Sequence, residues 1–239
     1  MIKQLLRSFH PLEQLERKRI NEIKKGVLPN SCSILFEYPI PSPDTLIEDI
    51  EFIVLDFETT GLDSYNDEIL SVGSVNIKNQ ILSLSSAQHF YMLAANAIKP
   101  ETAVINHILP EVLIGGCTEK ECMEKLVLSL AGKVVVAHCA EIEQRFLRRA
   151  LALSHDTPLP IVFLDTLKLE KSLSDYWGQA KPDLRLSEIR QKKGLPPYLA
   201  HNAFADAVAT GELFLVLIKE IFSEKRVTIG ELLSRSQSS

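Results

Sequence analysis

The chain has 239 residues, of which 46% are hydrophobic and 24% charged, the balance of a soluble globular protein with a sizeable buried core. A net charge of −5 and a pI near 5.7 exclude a protein that coats nucleic acid through a global basic field. They leave room for an enzyme that grips a strand end through cations held by its own carboxylates, because bound cations reverse the local sign.

Charges interrupt every apolar stretch between Met1 and Asn30, and the apolar run at 213–218 is too short to span a bilayer. No secretory signal or membrane partner is expected, and a cytoplasmic protein follows. Cys32, Cys117, Cys122 and Cys139 form no C-x-x-C pair, so they are expected to be reduced structural thiols rather than a zinc ribbon.

Ile2, Leu5, Leu6, Phe9, Leu12 and Leu15 fall near helical spacing, which predicts a helix over 1–27 that Pro11 breaks or restarts. This segment is mildly basic, and the expectation is an amphipathic appendage packed on the main domain or a partner, with a DNA-contacting arm as the other reading. Three prolines within 37–45 read as a linker or turn. The organisation expected is an N-terminal helical extension with its linker over 1–45, a catalytic domain over 46–223 and a C-terminal tail over 224–239 whose last six residues are polar and frayed.

Residues 50–58 are apolar on both faces, as in a central strand covered from both sides. Alternating stretches at 68–77 and 80–92 follow, joined across Lys78-Asn79-Gln80 as a hairpin. The second half alternates helix (119–131), strand (133–138), helix (140–153), strand (161–165) and helices at 166–174, 185–194 and 203–222. Three consecutive strands followed by helix–strand alternation argue for an α/β fold with a mixed sheet.

Three stretches carry acids where chemistry could use them. In Asp56-Phe57-Glu58-Thr59-Thr60-Gly61-Leu62, period-2 geometry sends Asp56 and Glu58 off one face and Phe57 into the core. Two carboxylates at a buried strand end repel unless a proton or a cation intervenes, and oxygen-bound divalent ions relieve the cost. A solvated polar strand end accounts for D-x-E equally well. On the helix after His138-Cys139-Ala140, Glu143 shares a face with Phe146, Leu147 and Ala150, where a bare charge is costly; an acid at the stripe's edge near a helix N-terminus is the plain alternative. In His201-Asn202-Ala203-Phe204-Ala205-Asp206, the acid sits in a helix's first turn below a loop histidine whose ordinary pKa suits proton transfer. A capping pair is the plain alternative there.

Together the three resemble the motifs of the DEDDh exonucleases, the family of the proofreading subunit of bacterial DNA polymerase III. LDFETTGL is similar to the first motif, AHCAEIEQRFL to the second and HNAFADA, with its H-x4-D spacing, to the third. Pro100 to His107 and Leu164-Asp165-Thr166 add fainter echoes, and the resemblance runs from about Glu51 to Phe222. It implies a ribonuclease H-like fold, a five-stranded mixed sheet flanked by helices. It also implies two divalent ions, Mg2+ or Mn2+, held by Asp56, Glu58, Glu143 and Asp206, with His201 as general base.

The implied reaction is hydrolysis of the terminal phosphodiester at the 3′ end of DNA, single-stranded or mismatched, releasing nucleoside 5′-monophosphates. Thr59, Thr60, Gly61 and Leu62 would hold the terminal nucleotide, with His107 beside it. The pattern departs from the family at Glu143, where aspartate is usual, at Cys139 in place of asparagine and at Ile142 in place of phenylalanine. Two other readings stand: an exoribonuclease, as in relatives such as oligoribonuclease, and a non-catalytic nucleic-acid or polymerase-binding module. Residues 4–9 are faintly similar to the peptide by which replication proteins bind the sliding clamp, and ordinary helix packing accounts for them as well.

Overall fold

The computed structural model describes residues 9–93, 108–178 and 182–237. The helix expected over 1–27 is α1, Pro11–Lys25. His10 caps it, its Nδ1 accepting from Leu12 N at 3.2 Å, and Pro11 occupies the first turn, where its missing N–H costs nothing. Gly26, at φ 77°, ends it in the left-handed region that favours glycine. Residues 1–8, including most of the clamp-like peptide, lie outside the described residues.

Five strands form one sheet: β1 (Phe52–Thr59), β2 (Ile69–Lys78), β3 (Ile81–Tyr91), β4 (Val134–Ala137) and β5 (Phe163–Asp165). Their order is β3-β2-β1-β4-β5. β1–β2 and β2–β3 are antiparallel, whereas β1–β4 and β4–β5 are parallel. β1 is therefore central, as its two-sided apolar sequence requires. Asn79 and Gln80 close the β2–β3 hairpin with φ values of 51° and 58°, the handedness a two-residue hairpin needs.

Helices α2 (Pro110–Ile114), α3 (Glu119–Leu130), α4 (Glu141–Ala150), α5 (Thr166–Tyr176), α6 (Leu186–Lys192), α7 (Ala203–Phe222) and α8 (Ile229–Gln237) complete the chain. Alternation along β1 divides the core. Phe52 and Val54 face α7, whose Leu213, Phe214 and Leu217 are buried against them. Ile53, Leu55 and Phe57 face the other way, against α3, α4 and the 32–36 segment. A mixed five-stranded sheet with helices on both faces is the ribonuclease H-like architecture.

Three expectations need correction. The stretch read as a C-terminal tail contains α8, with Ile229, Leu232 and Leu233 buried in the α7-side core. Its apolar residues repeat at helical spacing, but the Ser-rich composition masks them. The proline-rich stretch read as a linker is a strap pinned to α8: Gly230 N donates to Pro43 O at 3.0 Å and Ile229 N to Thr45 O at 2.8 Å. Cys117 and Cys122 are joined as a disulfide, not free thiols; the start of α3 brings their Cα atoms to 6.0 Å. A five-residue separation escapes a search for C-x-x-C. Cys32 is free and buried, and Cys139 is free and half-buried.

Among the described residues no helix is long and apolar enough to cross a membrane.

Candidate active site

The site is assembled from both sides of the sheet at the C-terminal end of β1. Asp56 and Glu58 leave β1 on the α7 side, opposite Gly73 and Ser71 of β2, while Phe57 is buried in the other core. α7 starts directly above. Asn202 caps it, its side chain accepting from Ala205 N at 3.1 Å, so Asp206 falls in the first turn and faces the two β1 acids. Oxygens of Asp56, Glu58 and Asp206 all lie within 4.8 Å of one another.

Glu143 arrives from the opposite layer. α4 packs Phe146 and Leu147 against the α3-side core, and Glu143, one helical turn earlier, reaches the rim of the sheet. It is 3% exposed, and its Oε2 is buried without a hydrogen-bond partner. The start of α4 is set by Asp165, at the end of β5, whose carboxylate accepts from Cys139 N at 3.0 Å, Ala140 N at 3.2 Å and Leu167 N at 2.9 Å. Cys139 takes φ 66° there. The family's asparagine tolerates that left-handed backbone better than cysteine does.

All four acids and His201 line one cleft of about 850 Å3. Their electrostatics are those of crowded, desolvated anions. Burial pushes Asp56 well above the usual carboxylate range, and the charges of Glu143, Asp206 and Glu58 add to it. Burial, with the charge of Asp206, lifts Glu58 to about 8. Burial lifts Glu143 to about 8 as well; Asp165 and Glu58 push the same way, against hydrogen bonds from its own amide and from Phe57. Asp206 is raised by burial, while hydrogen bonds from Tyr198 and Asn202 and the nearby His201 hold it down. Hard oxygen donors this close, with one buried carboxylate oxygen unpartnered, fit divalent cations.

The turn after β1 forms one lip. Thr60 Oγ1 donates to Asp67 Oδ1 at 3.0 Å and accepts from Glu68 N at 3.0 Å, and Asp63 N donates to Asp67 Oδ2 at 2.9 Å. A Cβ at Gly61 would stand 2.4 Å from Asp67 Oδ2, so a larger residue there would displace the carboxylate that Thr60 and Asp63 bond. Thr59, Thr60, Gly61 and Leu62 all line the cleft, and Leu62 is 74% exposed. His201, exposed at φ 61°, sits on the loop opposite. His107 and the rest of the Pro100–His107 stretch lie outside the described residues.

Sequence reading missed three residues of this cleft or its frame. Tyr198 donates its hydroxyl to Asp206 Oδ1 at 2.9 Å; no fixed spacing marks it. Its own burial and the charge of Asp206 hold the phenol protonated. Asp165 was noticed only as a faint echo, without its role at the start of α4. His138, whose pKa burial lowers, is neutral at pH 7. Its Nε2 lies 2.9 Å from Leu184 O, which only accepts, so Nε2 carries the proton and Nδ1 accepts from Thr166 Oγ1 at 2.9 Å. That pair ties the α5–α6 loop, with Arg185, to the cleft.

The sequence profile of the RNase_T exonuclease family matches residues 53–214, a span that holds all four acids and His201. The chain belongs to the RNase_T exonuclease family. Relatives of this chain include the DNA polymerase III subunit epsilon of Treponema pallidum, 30% identical over 172 residues, covering 72% of this chain and 78% of that one. The PolC-type DNA polymerase III of Thermotoga petrophila is 31% identical over 195 residues, covering 80% of this chain. The chain spans only 13% of that relative's length. E. coli exonuclease I shares the fold, with a TM-score of 0.60 at 16% identity over 72% of this chain and 41% of that one.

Proposed function

We propose that this exonuclease is metal-dependent and removes nucleotides one at a time from the 3′ end of DNA, releasing nucleoside 5′-monophosphates. The observation that carries the reading is the convergence of Asp56, Glu58, Glu143 and Asp206 from two layers of the fold, each with its pKa raised, beside His201. So many desolvated carboxylates destabilise a protein that leaves them bare. Such an arrangement is kept where cations use it.

Asp56, Glu58, Asp206 and Glu143 would hold divalent ions, Mg2+ or Mn2+, which supply Lewis acidity to water and to a phosphodiester. His201 takes the proton of the attacking water from the open side of the cleft. The 59–62 turn holds the terminal nucleotide, and exposed Leu62 gives its base an apolar surface. These contacts address backbone and base faces, so little sequence preference follows. His107 is assigned to the substrate side on the family resemblance alone.

DNA is favoured over RNA because the relatives are DNA polymerase III proteins and exonuclease I is known in complex with an oligonucleotide. The same relatives support a polymerase as partner, and proofreading or repair as the setting.

Single strands labelled at the 3′ or the 5′ end, as DNA and as RNA, test the reading. The 3′ label should leave first, as a mononucleotide, from DNA, with Mg2+ or Mn2+ and not with EDTA. Asp56→Ala and Asp206→Ala should abolish release. Chelator-resistant cleavage, or internal cuts that free oligonucleotides first, would sink the proposal; preference for RNA would move it to the exoribonuclease reading.

A further inference from the structure

We propose that Tyr198 is a positioning residue of this active site: its hydroxyl aims the Asp206 carboxylate into the cleft and ties down the loop that carries His201. The inference rests on the metal-dependent reading above.

Both oxygens of Asp206 accept from the protein, and the backbone at His201 adds to the hold. Tyr198 Oη donates to Oδ1 at 2.9 Å, and Asn202 N donates to Oδ2 at 3.0 Å. A carboxylate oxygen accepts along two directions, so an oxygen held by a protein donor can still face Asp56 and Glu58, whose oxygens lie within 4.8 Å of it. Held by the backbone alone, the carboxylate could rotate about its terminal torsion, which is broad and soft. The second donor removes that freedom. A carboxylate that must meet the tight octahedral demands of Mg2+ gains most from such a restraint.

Tyr198 is itself fixed. Its ring lies under the Arg190 guanidinium, 5.1 Å from the ring centre. Arg190 is 2% exposed, and it donates to Ala209 O at 2.7 Å and to Pro196 O at 3.0 Å. The hydroxyl is therefore presented by a rigid frame built on α6 and α7.

The loop geometry gives the contact a second consequence. His201 lies between Tyr198 and Asn202, and both of those residues hydrogen-bond the same carboxylate. The intervening backbone passes through φ 61° at His201, a left-handed conformation that is unfavourable for a non-glycine residue and persists only where neighbours enforce it. Tyr198 is the anchor on the N-terminal side. A tyrosine and a histidine thus share this cleft with distinct tasks: the phenol donates to an acid, and the imidazole is left open to the cleft.

Tyr198→Phe in the full chain isolates the hydroxyl, because the ring keeps its place under Arg190. Three measurements are compared with the unaltered protein: thermal melting in EDTA, Mn2+ binding by calorimetry, and kcat and KM on a 3′-labelled DNA strand across Mn2+ concentrations. Melting should hold within a few degrees. Mn2+ affinity should weaken about 10–100-fold. kcat should fall at low Mn2+ and recover as Mn2+ rises, with KM for the strand unchanged. Unchanged Mn2+ affinity overturns the proposal, whether melting is kept or lost, since the second result would mean packing alone. If the unaltered protein binds no Mn2+, the metal-dependent reading fails and takes this role with it. Normal Mn2+ binding by both proteins removes only the role of Tyr198.

Discussion

Gly73 of β2 lies so close to the Ala203 backbone at the start of α7 that a Cβ on residue 73 would stand 2.1 Å from the Ala203 carbonyl. Gly73 is also the register partner of Asp56, and Asp206 sits one turn into α7. A glycine therefore sets how near the acid of α7 comes to the acids of β1. Gly73→Ala should push the helix away, because backbone cannot give as a flexible side chain would. The expected cost is about 1–3 kcal/mol, read as a lower Tm, with Mn2+ affinity falling in step. Unchanged Tm and affinity would show that the close approach has no bearing on the site.

Metal-free protein should lose stability as pH rises. Glu58 and Glu143 titrate near 8 in the folded chain against an ordinary 4.5, so the folded state holds protons that the unfolded state has lost. Their favourable contribution is complete below about 4.5, declines between there and 8 and is gone above. Chemical denaturation in EDTA across pH 5 to 9 should show this fall, and saturating Mn2+ should flatten it. Stability that climbs with pH through this window in EDTA would contradict the crowding of the acids.

Glu143→Gln separates stability from activity. The amide removes one buried charge at nearly constant shape. In EDTA the variant should match the parent only below about pH 4.5, where Glu143 is protonated in both the folded and the unfolded chain, and exceed it by a margin that grows up to about pH 8. Activity should drop by about 100-fold or more if the carboxylate binds metal. A variant that keeps full activity would place Glu143 outside the chemistry.

Cys139→Asn should stabilise the protein by roughly 0.5–1 kcal/mol, because asparagine visits the left-handed region at lower cost. That is about 2–4 °C in Tm per kcal/mol for a chain of this size. The N–H of residue 139 still donates to Asp165, so activity should be kept. A lower Tm would mean that the half-buried thiol contributes packing that outweighs backbone strain.

Ending the chain before α8 should destabilise it. Ile229, Leu232 and Leu233 are buried, and burial of each such side chain contributes about 1.5–3 kcal/mol. Ser236 Oγ also accepts from Asp165 N at 2.7 Å, so the last helix braces the residue that sets the start of α4. A chain ending at residue 226 should show a melt lowered by more than 10 °C, on the order of 4 kcal/mol or more. An unaltered melt would restore the reading of this stretch as a tail.

Local pattern determined much of this protein. Period-2 alternation put Asp56 and Glu58 on one face of a central strand, and helical period put Glu143 with Phe146 and Leu147 and placed Asp206 in a first turn. Such periodicities follow from backbone geometry within a few residues, so a single sequence displays them. α8 and the proline-rich strap escaped because what orders them lies far away in the chain: α8 packs on α5 and β5, and the strap bonds α8. Tertiary structure alone decided that the acid of α4, which packs on one face of the sheet, meets the acids of β1 and α7, which lie on the other, at the rim where the layers end. It also decided that Tyr198 bonds Asp206 and that Asp165 holds the turn before Glu143. Side-chain hydrogen bonds across loops obey no sequence period; they depend on where packed layers leave a donor beside an acceptor.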